Sequence, residues 1–274
     1  MLSIVDIKKE LGNNLFIYPV HQESIKGNSI DFHASRFGWS LKTKRMIADK
    51  NKKYLIIPPN DTAMIYTEES IYVSQKIGGT YHSKVTLVCK GLGHIGTTLD
   101  PQYLGNSIIA IHNHSNEAFK LRVGAEFVTV IFHYLTSPDY KDARTNDNDP
   151  GHPRMLDGYE GKEDYIEWRD QNKWTVQKNL LYNKMIRSEE YITCKEDFKE
   201  EQMKFNRKLM MDRTKRYIFT LIISLVILGI FCIPSYLIDM KQVSAIFTAV
   251  TERVLFPLFL AILSAQIIVD FKQK

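Results

Sequence analysis

The chain has 274 residues and a formal net charge of +5, from 36 basic and 31 acidic side chains. This length accommodates one domain of ordinary size with additional elements. The positive excess is mild and much of it precedes an apolar segment near the C-terminus, so we expect no DNA or RNA partner. The three cysteines, Cys89, Cys194 and Cys232, have no metal-type spacing and predict no disulfide framework.

A short helix and a series of β-like runs are predicted in the first half of the chain. Ser3 is a suitable N-cap with Asp6 at the third helical position, which predicts a helix over residues 3–11. Eight short runs follow, separated by Gly, Pro, Asn and Asp: Leu15–Val20, Ser29–Ala34, Tyr54–Ile57, Ala63–Thr67, Ser70–Val73, Val85–Cys89, Ile108–His112 and Phe127–Tyr134. They predict a mainly β barrel or sandwich over residues 1–136.

The next two segments are predicted to lie outside the β domain. Residues 137–161 are polar and rich in turn residues, which is typical of a linker or of a lid over a neighbouring site. Residues 162–216 have moderate helical periodicity and are predicted as a helical stalk. Their many charges favour a solvated helix with surface ion pairs; the alternative is bundling with other copies in an oligomer.

Two apolar segments end the chain and predict a transmembrane hairpin. Residues 217–238 form an uncharged stretch of 22 residues, and residues 243–270 are predicted as a second span. The flanking basic residues place both termini and the β domain in the cytoplasm, at the inner (plasma) membrane. Glu252 and Arg253 lie in the second span. They either mark a pathway that carries the membrane output or anchor the helix at the headgroups.

Asp100 and Tyr103 form the first candidate site. Asp100-Pro101 predicts a turn, and the alternation from Ser107 to Asn113 predicts a strand after it. At the mouth of a strand, a carboxylate can accept a hydrogen bond from a sugar hydroxyl or orient a water, and a ring can stack on a base or deoxyribose. A β-turn with a capping aspartate and a half-buried tyrosine accounts for the same residues without a ligand.

The order of motifs along the first 135 residues resembles the dCTP deaminase and dUTPase superfamily. The matching segments are Leu2–Ile7, Asn28–Phe32, Leu55–Pro59, Ala63–Glu69, His82–Lys84, Leu99–Gly105 and Lys120–Gly124. His82–Lys84 falls where the family has an Arg-Ser-Ser or Arg-Ser-Gly phosphate loop. Leu99–Gly105 resembles the pattern Ile-Asp-x-x-(Tyr/Trp/Phe)-x-Gly. The resemblance rests on the order and spacing of these motifs together.

The resemblance implies a β-prism, or distorted barrel, that forms a homotrimer with nucleotide sites shared between subunits. It implies a pyrimidine deoxynucleotide triphosphate as ligand, with Mg²⁺ on its phosphates, and no protein-bound metal is predicted. By matching position, Asp100 faces the sugar, Tyr103 packs under it and Ser83 contacts phosphate. His82 or Lys84 replaces the usual arginine, although a lysine is a point charge rather than a fork.

Four positions depart from the family pattern. Counting from Asp100, Ala110 takes the place of the general acid/base glutamate and Leu87 that of an active-site arginine. Because alanine cannot transfer a proton, deamination is not expected. Thr129 replaces the usual glutamine on the last strand, and Glu126 replaces a commonly basic or neutral residue, so the phosphate loop is expected to be weakened.

His112 and His114 are two positions apart and share one face of the predicted strand. Such a pair can bind zinc, but no third ligand has a suggestive spacing. Histidines that are hydrogen-bonded and structural are the simpler interpretation.

Three functions follow from the sequence. In the first, a cytosolic domain senses a nucleotide without deaminating it and signals to the membrane hairpin, as would suit a prokaryotic antiviral-defence effector. In the second, the chain is a membrane-tethered dUTP or dNTP diphosphatase that uses Asp100 and Mg²⁺, although the Gly-rich, Arg-containing arm of the dUTPases is not seen. In the third, the β domain only trimerises and displays the membrane segments.

Overall fold

The computed structural model describes residues 1–94, 96–137, 153–237 and Arg253. The chain divides into two units, Met1–Glu200 and Glu201–Lys274. All the described strands belong to the first unit.

Helix α1 spans Ile4–Glu10 and begins with a capping box. The Ser3 hydroxyl accepts a hydrogen bond from the backbone N–H of Asp6 at 3.2 Å, and the Asp6 carboxylate accepts one from the backbone N–H of Ser3 at 3.0 Å. Two backbone N–H groups at the start of the helix thereby gain partners. The helix packs Ile7 into the core. The helix predicted over residues 3–11 is confirmed.

The strands pair only in antiparallel fashion in the described part of the chain. They are β1 (Leu15–Tyr18), β2 (Ile25–Lys26), β3 (Ser29–Ser40), β4 (Tyr54–Ile57), β5 (Asp61–Val73), β6 (Ile77–Ser83), β7 (Leu92–His94), β8 (Thr98–Leu99), β9 (Leu104–Asn113), β10 (Phe119–Arg122) and β11 (Glu126–Tyr134). The main sheet has the order β7-β9-β5-β3-β11-β6-β8, with β1 on β5 and β2 on β3, while β10 pairs with β4. The predicted mainly β architecture is confirmed.

Strand β6 contains a pair of glycines that suggest a turn in the sequence. A Cβ added to Gly79 would lie 2.8 Å from the carbonyl oxygen of Ile131 on β11. Only glycine permits this close approach of the two strands. The glycines therefore belong to a strand that the sequence does not predict.

The strand predicted at Val85–Cys89 is wrong, because Val85–Val88 forms one helical turn, α2. Val85 and Val88 point to solvent. A five-residue apolar run does not by itself distinguish a strand from a helical turn.

Strand β5 joins two predicted runs, Ala63–Thr67 and Ser70–Val73, into one. Its pairing with β9 shifts register between Tyr66 and Ser70. The Thr67 hydroxyl spans this irregularity by donating to the carbonyl of Glu69 at 2.7 Å. A bulge of this kind re-aims side chains. Here the Glu69 side chain is buried in the domain, with 2% of its surface exposed.

The region predicted as a helical stalk begins with helices that pack on the β domain. They are α3 (Lys162–Gln171), α4 (Lys178–Ile186) and the first residues of α5 (Glu189–Leu237), up to Glu200. Leu181 and Met185 of α4 and Cys194 of α5 belong to the main apolar core. These three residues give the start of this region a structural role within the first unit.

A second apolar cluster covers the outer face of β3 and β5. It contains Phe37, Trp39, Met64, Tyr66, Leu156, Tyr159 and Tyr165. The rings of Tyr66 and Tyr165 stack with centroids 4.1 Å apart and planes 19° apart. Part of the predicted linker or lid therefore packs on the sheet, while residues 138–152 lie outside the described residues.

The predicted membrane location is contradicted. Helix α5 includes most of the first predicted span, 217–238. No helix in the part of the chain that the structure describes is long and apolar enough to cross a membrane. The assignment to the inner membrane with a multi-pass topology is therefore corrected. The second predicted span, 243–270, lies outside the described residues except for Arg253, which is exposed, and Glu252 lies outside them too.

Candidate functional site

The five predicted ligand residues form two separate sets. His82 and Ser83 end strand β6, and Lys84 follows directly. Asp100 and Tyr103 lie in the turn between β8 and β9. Since β6 and β8 run antiparallel, the two sets lie towards opposite ends of β6.

The register of β6 and β8 gives the size of this separation. Gly79 pairs with Leu99, so Asp100 follows opposite Gly78, which lies five positions before Ser83. At about 3.4 Å per strand residue, Asp100 and Ser83 are about 17 Å apart along the strand. One copy of the chain does not bring the two sets together.

The turn that carries Asp100 is held by its own hydrogen bonds. The Thr98 hydroxyl donates to Asp100 Oδ1 at 3.2 Å, and the backbone N–H of Tyr103 donates to the Asp100 carbonyl at 3.1 Å. The Tyr103 hydroxyl donates to the Asn106 carbonyl at 2.7 Å, and its ring packs against the core. Asp100 remains exposed. This geometry is compatible with a β-turn alone and with a turn that offers a carboxylate to a ligand.

Lys84 is held in an ion-pair network. Its ammonium group lies 2.6 Å from Asp31 Oδ2 and 2.6 Å from Glu126 Oε2. Lys26 contacts the same two carboxylates, at 2.5 Å from Asp31 and 3.2 Å from Glu126. Two lysines and two carboxylates balance in charge, so a phosphate at Lys84 has to compete with groups of the same chain.

The network favours the charged forms of its acids. Burial alone would raise the pKa of Asp31, but hydrogen bonds from Lys26, Lys84 and Thr129 hold that pKa below its ordinary value. The pKa of Glu126 is lowered in the same way, because hydrogen bonds from the two lysines outweigh partial burial. The Thr129 hydroxyl donates to Asp31 Oδ1 at 2.5 Å, so Thr129 is part of this network.

His82 is the more accessible cation candidate of the phosphate loop. Its side chain is exposed, and its Nε2 lies 2.8 Å from the Thr80 hydroxyl. Ser83 is half-buried and pairs with Val128 of β11. A phosphate can therefore reach His82 without breaking an ion pair.

Ala110 and Leu87 offer no acid or base at the positions where the family resemblance expects polar groups. Ala110 on β9 pairs with Met64 on β5. Alternation along β9 puts Ala110 on the same face as Ile108, which packs against the second apolar cluster. Leu87 lies in α2 and packs against the core. Neither side chain carries an ionisable group.

His21, His33 and Glu69 form a cluster that the sequence analysis missed. One potential ligand atom from each residue lies within 4.8 Å of the others. The Nδ1 of His33 makes a very short contact with Glu69 Oε1, and the backbone N–H of His33 donates to Glu69 Oε2 at 3.0 Å. The Nε2 of His21 lies 3.9 Å from Glu69 Oε1. The available signal was His33 itself, between Phe32 and Ala34 in a buried strand.

Glu69 and His33 influence each other strongly. Burial raises the pKa of the Glu69 carboxyl. Burial alone would lower the pKa of His33, but the hydrogen bond and negative charge of Glu69 raise it above its ordinary value. The two groups therefore titrate as a coupled pair.

His112 and His114, the other histidine pair, have ring centroids 5.9 Å apart. The Nδ1 of His112 lies 2.6 Å from the Thr62 hydroxyl. No third ligand joins this pair in the ranges that the structure describes.

Comparison with known proteins agrees with the fold. A family model described as dCTP deaminase-like matches residues 1–135. The dCTP deaminase of Pyrococcus furiosus is 30% identical over 140 residues, covering 51% of this chain and 86% of that protein.

Two solved structures also align with the N-terminal half. The 2′-deoxycytidine 5′-triphosphate deaminase from Agrobacterium tumefaciens has a TM-score of 0.40 and 10% identity, covering 49% of this chain and 47% of that one. A mutant dUTPase from phage phi11 of S. aureus, described with a structural Mg(II) ion, has a TM-score of 0.35 and 13% identity, covering 48% of this chain and 97% of that one. Through its first 135 residues, the chain belongs to the dCTP deaminase-like family.

Proposed function

We propose that the chain binds a pyrimidine deoxynucleotide triphosphate without deaminating it and that binding alters the packing of its C-terminal helices. The observation that carries this proposal is Ala110. Ala110 lies on β9 opposite Met64, and its side chain is a methyl group. A general acid/base must place an ionisable atom within hydrogen-bond reach of the reacting base, and a methyl group cannot.

The binding site is proposed to form between copies of the chain. Asp100 and Tyr103 of one copy would hold the sugar, and His82, Ser83 and Lys84 of another would contact the phosphates. The two sets are about 17 Å apart along the strand in one copy, so a single copy does not bring both to the same ligand. A homotrimer with shared sites, as the family resemblance implies, brings them together. Mg²⁺ would accompany the triphosphate and offset part of its charge.

A contact route from the ligand turn to the C-terminal helices supports the sensing role. The Tyr103 carbonyl accepts a hydrogen bond from the backbone N–H of Val73 at 3.3 Å. The neighbouring Tyr72 accepts one from Lys178 of α4 at 2.9 Å. Movement of the turn on binding would therefore reach α4 through two adjacent residues of β5. Neither a membrane location nor a defence role forms part of this function.

The binding step is tested on the full chain by thermal unfolding with Mg²⁺ and each of dCTP, dUTP, dATP and ATP. A ligand at about one hundred times its Kd stabilises the native state by about 2.7 kcal/mol, so a pyrimidine deoxynucleotide is expected to raise Tm. Asp100→Asn removes the charge of the exposed carboxylate while keeping its size, and the shift is expected to shrink. Glu117→Gln, an exposed change outside both ligand sets, serves as the matched control. An equal shift with every nucleotide, or none, would contradict the proposal.

The runner-up is a dUTP diphosphatase that uses Asp100 to orient water. The exposed carboxylate of Asp100 is the specific observation in its favour. This function requires pyrophosphate release that Asp100→Asn abolishes, whereas the sensing function requires binding without release. The same samples, assayed for pyrophosphate, separate the two.

A further inference from the structure

We propose that His21, His33 and Glu69 bind a divalent transition-metal ion of the zinc type. Two imidazoles and one carboxylate are a ligand set that suits Zn²⁺ and leaves one coordination position open. None of the three ligands is a predicted nucleotide-binding residue, and the proposal does not depend on the function proposed for those residues. The cluster is nevertheless close to Lys84, because Asp31 lines a pocket with His21 and Glu69 and is ion-paired to Lys84.

The fold brings the three ligands together from three different elements. His33 lies on β3, Glu69 lies in the irregularity of β5, and His21 precedes a short 3₁₀ turn at Gln22–Ser24. Asn106 holds the irregular segment by donating to the carbonyl of Thr67 at 3.0 Å. The side chain of Glu69 is thus fixed towards the histidines by backbone structure rather than by a flexible loop.

The three potential ligand atoms lie within 4.8 Å of one another. Zinc–nitrogen and zinc–oxygen bonds of about 2.0–2.1 Å in a tetrahedral site place the ligand atoms about 3.3 Å apart. His21 Nε2 and Glu69 Oε1 are 3.9 Å apart, and His33 and Glu69 are in closer contact than the tetrahedral spacing. The proposal therefore requires the His33–Glu69 contact to lengthen and the His21–Glu69 distance to shorten on metal binding.

The unliganded cluster leaves a polar atom unsatisfied. His21 Nε2 is buried and has no hydrogen-bond partner among the described residues, although the ring as a whole is partly exposed. Glu69 is a buried acid that already contacts the His33 ring and accepts a hydrogen bond from the His33 backbone N–H. A cation between the residues would accept the lone pair of His21 Nε2 and place a positive charge beside the Glu69 carboxylate.

An outer layer of groups orients His33 for metal binding. The Ser24 hydroxyl lies 3.4 Å from His33 Nε2 and donates to Glu126 Oε1 at 3.0 Å. With His33 Nδ1 on the metal, its Nε2–H points to the Ser24 oxygen, as metal-bound histidines commonly do towards a polar neighbour. Ser24, His33 and Glu69 also follow the order of a catalytic triad. However, Ser24 is fully buried and its proton is directed to Glu126, so it is not a nucleophile.

His21 and Glu69 also line a small pocket. Its other lining residues include Asp31 and the apolar side chains of Leu11, Val20 and Ile30, and His33 is not among them. A fourth ligand of the proposed metal, such as a water molecule, would enter from this pocket.

The test measures metal content of the full chain after treatment with a chelator, incubation with Zn²⁺ and gel filtration. The wild type is expected to retain one zinc ion per chain. Co²⁺ in its place is expected to give the visible absorption of a four- or five-coordinate site. His21→Gln is expected to weaken Zn²⁺ binding by more than about 100-fold. Loss of a residue that only hydrogen-bonds to a metal ligand has a smaller effect, of about 10- to 100-fold. His21 is partly exposed and outside the strands, so this variant is expected to fold.

Two further variants keep the result decisive. Glu69→Gln retains the shape of the side chain and is expected to lose zinc as His21→Gln does. His114→Gln alters the other histidine pair and is expected to keep zinc at the wild-type level. Circular dichroism confirms that each variant is folded. Absence of zinc from the wild type, or retention of zinc by folded His21→Gln, would overturn the proposal, and loss of zinc in His114→Gln alone would move the site to His112 and His114.

Discussion

Glu126 carries its negative charge between two lysine side chains and makes the ion-pair network sensitive to acid. Lys84 and Lys26 lie 2.6 Å and 3.2 Å from its carboxylate oxygens. Their hydrogen bonds lower its pKa in the folded state. The unfolded chain therefore takes up a proton at higher pH than the folded chain does. The stabilisation is present above the pKa of the unfolded chain, about 4.3, and is lost as pH falls through the folded pKa.

Glu126→Gln is expected to reduce the acid sensitivity of the domain. Between about pH 6 and about pH 3, its free energy of unfolding should fall less than that of the wild type, because one of the two low-pKa acids is gone. Urea unfolding at a series of pH values measures this. The free energy of unfolding of Glu117→Gln, a change at an exposed position, should fall over this pH range by as much as that of the wild type. Equal losses in all three proteins would show that the network does not couple proton uptake to folding.

Individual site residues could be predicted from the sequence only in part. The Asp100 turn was predictable, since proline and the following alternation fix its place beside a strand. The ion pairs that neutralise Lys84 could not be predicted, because Asp31 and Glu126 are 53 and 42 residues away in sequence. The place of Glu69 in the cluster with His21 and His33 could not be predicted for a related reason. Its side chain points inward because of a strand irregularity that period-two alternation does not reveal.

At the scale of elements, α3 acts as part of the folded domain. Tyr165 is 1% exposed and stacks on Tyr66 of β5, and Phe37 meets it edge-on with centroids 5.2 Å apart. Aromatic rings of this size contribute strongly to packing, and removal of a buried one leaves a cavity. The start of the predicted stalk is thus joined to the sheet through the second apolar cluster, which also contains Leu156 and Tyr159 of the predicted linker or lid.

Tyr165→Ala is expected to lower the free energy of unfolding of the first unit by about 3–5 kcal/mol, as loss of a buried aromatic ring does. Met155→Ala, at an exposed position ten residues earlier, is expected to change it by less than about 0.5 kcal/mol. Urea unfolding followed by tryptophan fluorescence compares the two. If both variants matched the wild type, α3 would not contribute to the stability of the domain.

Elements with strong local signals were predictable, and those set by neighbours were not. The capping box at Ser3 fixes α1 by local hydrogen bonds. Strand β6 was not predicted, because its two glycines are typical of a turn. Gly79 is needed there because the carbonyl of Ile131, from a distant part of the chain, lies too close for a side chain. The apolar run at Val85–Val88 is too short to show a period, so its helical turn was taken for a strand.

At the scale of the whole molecule, a family domain is combined with C-terminal helices that pack on it. The family membership rests on residues 1–135, and the motif order in the sequence predicted it correctly. The membrane location, by contrast, was inferred from the apolar segments and the basic residues that flank them, and it is contradicted by the described helices. The two ligand sets lie towards opposite ends of β6, so the proposed nucleotide site would need residues from more than one copy.

The most direct test of the central claim follows dCTP itself. The full chain is incubated with dCTP and Mg²⁺ at a concentration at which dCTP raises Tm, and the nucleotides are separated by chromatography. Because Ala110 cannot transfer a proton, dCTP is expected to remain intact while it binds. Formation of dUTP, with release of ammonia, would contradict the account.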